Sequence, residues 1–178
     1  MELVVRPTTK ADIVAAEACL TDGKAALAEL DIPQWQGEYP SRIDIAEDIE
    51  HGAAYVAESA DGALVGTLAL SFTGDETYDT IDGAWLTDSS SSSPTYGVIH
   101  RCAVSRTAAH QGVMSFMFEE CERIAREHGA KSMRIDTHKR NLPLQGLAQK
   151  LGYQRCGVIT LPYEGGADPL RVAFEKLL

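Results

Sequence analysis

At 178 residues, 44% of them hydrophobic and 24% charged, the chain can bury one substantial core but hardly two, so a single domain spanning 1–178 is expected. Its 16 basic and 26 acidic residues give a formal net charge of −10, a poor surface for nucleic acid or anionic lipid and a better match for a cationic or amine-bearing ligand. No apolar run approaches the ~20 residues that cross a bilayer, the start Met1-Glu2-Leu3-Val4-Val5-Arg6-Pro7 has no signal-like stretch, and Cys19, Cys102, Cys121 and Cys156 lack zinc-like spacing, so a cytoplasmic protein with reduced thiols, no metal and no membrane or nucleic-acid partner is expected.

Leu3-Val4-Val5 reads as a first short strand. Thr9 with Asp12 three residues later has the spacing of a capping box, and Ile13, Ala16, Leu20, Leu27 and Leu30 recur as helix positions do, with Gly23 expected to break the helix in two. Residues 31–40 form a loop rich in aromatic and turn residues, including Trp35, Glu38 and Tyr39, before Ser41 caps a second helix carrying Ile45 and Ile49. Residues 54–57 and 64–70 alternate as a hairpin turned at Asp61-Gly62. Acidic and small residues then fill 73–94, five consecutive serines among them, and a mobile surface loop without core contacts is expected there.

Strand character returns at Tyr96 and runs to Val104. From Gly112 a long amphipathic helix is predicted, with Val113, Phe116, Met117, Cys121, Ile124 and Ala125 on its apolar face, Glu119, Glu122, Arg123 and Arg126 turned to water, and Gly129 as its stop. Residues 133–136 predict a strand, 144–151 a helix, and 157–161 and 171–174 the closing strands. There are no internal repeats. The sum is an α/β protein: a mixed, mostly antiparallel twisted sheet of six to seven strands with helices on both faces.

The informative feature is the strand that runs through the small-residue turn Ser105-Arg106-Thr107-Ala108-Ala109-His110-Gln111-Gly112 into a helix. Such a turn leaves backbone N–H groups aimed outward at the positive end of the helix dipole, where phosphate binds well, and a nucleotide-type cofactor follows. An ordinary turn accounts for a single glycine equally well.

Ala103-Val104, the loop to Gly112, the amphipathic helix, Asp136, Asn141 and Lys150-Leu151-Gly152-Tyr153 together resemble the GNAT superfamily of N-acetyltransferases. That resemblance implies acetyl-coenzyme A as co-substrate, no metal, and a sheet splayed at its fourth strand, here the Tyr96 to Val104 segment, with the acyl-pantetheine arm in the opening. Backbone groups of Cys102, Ala103 and Val104 would then hold the arm, and the Val104 N–H would polarise the thioester carbonyl. The family's pyrophosphate loop, Gln/Arg-x-x-Gly-x-Gly/Ala, becomes Ala109-x-x-Gly112-x-Met114, which keeps only the central glycine. Phosphate would be held by the N–H groups of Gln111, Gly112, Val113, Met114 and Ser115, which most side chains do not remove. Asn141 matches an asparagine that contacts the cofactor arm, or it caps the next helix.

By the same resemblance His100 is the preferred general base, an imidazole with an ordinary pKa of about 6.5 suiting the task; the other reading is a histidine packed within the sheet. Arg101, alternating to the opposite face, reads as structural. Glu38 and Glu76 are rival bases or recognisers of a cationic acceptor, or merely solvated, and Trp35 and Tyr39 line the acceptor pocket or pack in the core. Many members use a tyrosine as general acid where this chain has Ala148; Tyr153 matches a residue that packs in the core, and His138 is either a proton carrier or an exposed loop histidine. Asp136-Thr137-His138 with Asn141, followed by Cys156-Gly157-Val158-Ile159, resembles a bacterial subgroup from which no substrate follows. The implied activity is transfer of an acetyl or short acyl group to a primary amine of a small molecule or peptide by direct attack on the thioester, in a monomer or homodimer. A coenzyme A-binding regulatory module with little catalysis is the alternative that Ala148 and Met114 keep open. A methyltransferase or dehydrogenase is disfavoured, since no Gly-x-Gly-x-x-Gly follows the first strand.

Overall fold

The computed structural model describes residues 2–162 and 168–178. In chain order the elements are β1 (Leu3–Pro7), α1 (Ile13–Glu29), α2 (Arg42–Glu50), β2 (Ala54–Ser59), β3 (Leu64–Ser71), β4 (Asp82–Gly83), β5 (Tyr96–Val104), α3 (Val113–His128), β6 (Ser132–His138), α4 (Leu142–Lys150), β7 (Gln154–Thr160) and β8 (Leu170–Leu177). The sheet has the order β1-β2-β3-β5-β6-β8-β7-β4, with β5 and β6 parallel and β1-β2, β2-β3, β6-β8, β7-β8 and β4-β7 antiparallel. Its eight strands exceed the expected six to seven because β4 lies in the stretch read as a loop. The strand expected fourth is therefore β5.

Residues group into two compact units. The first holds residues 2–29, 35–70 and 99–121. Its helix starts obey local chemistry: the Thr9 N–H donates to the Asp12 carboxylate at 2.8 Å, and the Ser41 N–H donates to Asp44 at 2.7 Å while the Ser41 hydroxyl accepts from the Ile43 N–H. The hairpin β2-β3 turns where expected, with Gly62 at φ 83°. Ala16, Cys19, Leu20, Ile45, Val56 and Ala103 form the core, with Trp35 packed on it.

Gly23 does not divide α1, which runs unbroken from Ile13 to Glu29. The position is small for reasons of space, since a Cβ there would stand 3.0 Å from the Ala103 Cβ and 3.4 Å from the Trp35 ring. A similar demand acts at Gly66 of β3, where a Cβ would meet the Met117 sulfur at 2.6 Å and the Ala103 carbonyl oxygen at 3.4 Å. These two glycines let α1 and α3 approach closely enough to seat β5.

The second unit holds residues 30–34, 71–98, 122–162 and 168–178. Residues 73–94 are not the coreless loop expected: Tyr78 is buried with Tyr96, Val98, Ile159 and Ala173, and Ile81 and Trp85 pack against that cluster. The segment is organised by Arg134 and Glu175, both fully buried and paired at 3.1 Å. The Arg134 guanidinium lies 4.2 Å from the Trp85 ring centroid and 4.0 Å from that of Tyr96, and donates to the Thr87 carbonyl. Glu175 accepts from the Leu86 and Thr87 N–H groups and from the Ser132 and Thr87 hydroxyls. Even the serines have defined partners, Ser91 donating to Asp79 and Ser89 accepting from the Thr95 N–H. Glu122, expected to face water, is also buried and accepts from the Lys176 ammonium at 2.6 Å.

Replacing Arg134 with alanine leaves the Glu175 carboxylate buried beside no counter-charge. The expected loss of stability is about 3–5 kcal/mol in urea unfolding, whereas Arg123→Ala, which breaks an exposed pair with Glu127, costs about 1 kcal/mol or less.

Candidate active site

In the first unit β5 reaches the site through Ile99 and Ala103, both buried, and through His100, Cys102 and Val104, all partly exposed. Regular strand geometry breaks at Arg101, whose φ is 51°. Beyond the strand, the Ser105 N–H donates to the Val65 carbonyl at 2.9 Å, and a 3₁₀ turn over Arg106–Ala108 follows with Ala108 buried. The Arg106 N–H donates to Asp22 at 2.7 Å and its guanidinium pairs with Glu29, so the turn is moored to α1. Gln111 donates from its side chain to the Thr107 carbonyl at 3.0 Å, and its N–H reaches the Ala108 carbonyl at 3.4 Å.

The chain enters α3 at Gly112, φ 83°, and the first helical bond runs from the Phe116 N–H to the Gly112 carbonyl. The N–H groups of Gly112, Val113, Met114 and Ser115 therefore precede the helical ladder, and the N-cap has no side chain to cover them. No acidic residue occupies the first turn, and Arg126 and His128 lie in the last. A Cβ on Gly112 would meet nothing within 4 Å. A positively polarised helix start of this kind fits a phosphate-bearing group such as that of coenzyme A. Glycine is needed here for its backbone conformation rather than for room.

The acceptor candidates of the same unit fall into two kinds. Trp35 is partly buried on the core near Ala103. Tyr39 is 44% exposed and its hydroxyl accepts from the Arg101 guanidinium at 3.1 Å, while Glu38 is exposed, its backbone carbonyl receiving the Lys24 ammonium. Arg101 also reaches both carboxylate oxygens of Asp48, at 2.5 and 3.0 Å. Nothing in the local sequence marks Asp48 among the acids of α2, and it was not anticipated as its partner.

In the second unit Glu76 is exposed at the start of a 3₁₀ turn. Asn141 caps α4, accepting from the Leu144 N–H at 3.3 Å while donating to the Thr137 hydroxyl at 3.0 Å. Ala148 is fully buried and Tyr153 is buried as expected of a core residue. The buried Tyr78 hydroxyl donates to Asp136 at 2.7 Å, and burial together with that carboxylate pushes its pKa well above the ordinary phenol range. His138 is buried at the end of β6, not exposed in a loop. Its Nδ1 accepts from the Arg140 N–H at 3.2 Å, which leaves the proton of the neutral ring on Nε2, 3.4 Å from Asp168. Among the described residues no helix is long and apolar enough to cross a membrane.

The model of the acetyltransferase (GNAT) family matches residues 24–153. A GNAT-family acetyltransferase from Streptococcus agalactiae is 31% identical with a TM-score of 0.84, over 99% of this chain and 95% of that one. One from Listeria monocytogenes is 22% identical with a TM-score of 0.73, over 100% and 96%. The ribosomal-protein-S18-alanine N-acetyltransferase from Escherichia coli is 10% identical with a TM-score of 0.67, over 99% and 94%, a likeness of fold alone. No curated protein matches the chain.

Burial and the nearby charge of Arg171 hold the His138 pKa below its ordinary value of 6.5, against the opposing pull of Asp168. The unfolded chain then takes up the proton first, so the stability this residue contributes is complete above about pH 6.5 and is lost as pH falls below it. Thermal unfolding between pH 7.5 and 5.0 is expected to drop more steeply for the wild type than for His138→Gln.

Proposed function

The chain belongs to the GNAT family of acetyltransferases, and from that premise we propose that it transfers an acetyl or short acyl group from coenzyme A to the primary amine of a small molecule or peptide. The observation that carries the cofactor half of this reading is the helix start at Gly112, where four N–H groups precede the helical ladder and no carboxylate lies in the first turn. Acetyl-coenzyme A, when bound, supplies an activated carbonyl joined to a good leaving group. The amides of Gln111, Gly112, Val113, Met114 and Ser115 would hold its phosphates, Gln111 by exchanging a long bond within the turn. Backbone groups of Cys102, Ala103 and Val104 would hold the pantetheine arm, with the Val104 N–H directed at the thioester oxygen.

His100 takes the proton that the amine gives up as the amide bond forms, and returns it to the departing sulfur. A second acid at the usual helical position is ruled out chemically, because Ala148 has no hydroxyl and is buried. Glu38 and Tyr39 would receive a cationic acceptor, with Trp35 as an apolar wall; the net charge of −10 supports a cationic partner and steers it at long range.

A thiol-release screen of acetyl-coenzyme A against polyamines, amino acids, aminoglycosides and peptide amino termini is expected to identify the acceptor. With that acceptor His100→Ala should lower kcat by about 10²-fold or more. Tight cofactor binding with no turnover across the panel would overturn the catalytic reading. Gly112→Ala forces a side chain to φ 83° at a cost of about 1–2 kcal/mol and should weaken coenzyme A binding by calorimetry about ten-fold.

A further inference from the structure

Among the described residues of the first unit, three that are not glycine take positive φ: Trp35 at 65°, Arg101 at 51° and His110 at 63°. All three lie in the candidate site. His110 belongs to the turn before Gly112 and Trp35 to a loop, where such angles are tolerated. Arg101 stands inside a strand, where a long side chain at positive φ must be held by its surroundings.

The holding contacts are its own. Nε and Nη2 grip the two carboxylate oxygens of Asp48 at 3.0 and 2.5 Å, and Nη1 donates to the Tyr39 hydroxyl oxygen at 3.1 Å. The Arg101 and Asp48 side chains are only 21% and 15% exposed, so the fork is sheltered from solvent and stronger than a surface pair. Asp48 is itself immobilised, since α2 is anchored by the Ser41 cap at one end and by Ile45 in the core. Tyr39 precedes that cap by two residues. One guanidinium thus ties β5, α2 and the loop at 35–40 together, at the residue between His100 and Cys102.

We propose that Arg101 is a positioning residue: its fork on Asp48 and its contact with Tyr39 hold the β5 backbone in the form that presents the Cys102, Ala103 and Val104 peptide groups to the pantetheine arm. The proposal rests on the cofactor assignment made above. Arg101 itself touches no reacting atom. Its role is to keep a locally unfavourable backbone conformation populated, and to couple the acceptor-side loop to the cofactor strand. Lysine would keep the charge but not the two-pronged grip.

The test is calorimetric titration of wild type, Arg101→Met, Arg101→Lys and Asp48→Asn with two probes: coenzyme A, and adenosine 3′,5′-bisphosphate, which carries the nucleotide but no arm. Arg101→Met and Asp48→Asn are expected to weaken coenzyme A about ten-fold while changing the bisphosphate less than about two-fold, with Arg101→Lys between them. Equal loss of both probes, or no loss of either in variants that still unfold cooperatively, overturns the proposal. A merely structural arginine would lower the unfolding temperature without separating the two probes. If Arg101→Met fails to fold, Asp48→Asn, which keeps the shape of the partner, decides alone. Wild type that binds neither probe overturns the cofactor assignment instead, and this proposal with it.

Discussion

Arg134 and Glu175 meet at 3.1 Å with neither side chain exposed. Taking a guanidinium and a carboxylate out of water costs several kcal/mol per ion, so the pair exists only where the chain replaces what water supplied. Hydroxyls of Ser132 and Thr87 and N–H groups of Leu86 and Thr87 donate to the carboxylate, and two aromatic faces flank the cation. Burial alone would raise the Glu175 pKa; Ser132 and Thr87, and then the charge of Arg134, hold it below its ordinary value. The path of residues 85–89, the start of β5 at Tyr96, and the registers of β6 and β8 all follow from satisfying these two ions. A polar, serine-rich stretch takes a defined path because its backbone and hydroxyls act as their solvent.

The candidate site depends on β5 in a different way. Tyr96, Gly97 and Val98 form parallel pairs with Ser132, Met133 and Arg134 of β6. From Ile99 onward the strand packs with the first unit, between a glycine of α1 and a glycine of β3, and Arg101 distorts it. The polar groups offered to a cofactor in the proposed reading are mostly peptide groups, on the strand and at the start of α3. This explains why a loop that keeps only the central glycine of its family's pattern remains a credible phosphate site: the side chains that changed are not the ones that would bind.

Features set by a few neighbouring residues were readable in advance. Ser41, Asp61-Gly62, Gly112 and Gly129 each mark a helix end or turn by local geometry, and each is where expected. Features set by partners far along the chain were not. Gly23 resembles a helix breaker until Ala103 and Trp35 are seen against it, and Glu122 resembles a solvated residue until Lys176 reaches it from β8. His138 had no local signal of burial, and Arg101 was anticipated as structural without any means of naming Asp48 or Tyr39.

By itself, then, the sequence determined the family, the order of most elements and the glycine-led helix start, because each is encoded in periodicity, turn chemistry or a short motif. Only the tertiary structure decided that residues 73–94 belong to a core, that two ions lie buried beneath them, and that the Tyr96 to Val104 strand takes a positive φ at Arg101 and is gripped there by Asp48. Those outcomes turn on contacts between residues tens of positions apart. Such contacts are chosen by packing and by the need to satisfy buried charge, and neither leaves a local mark on the chain.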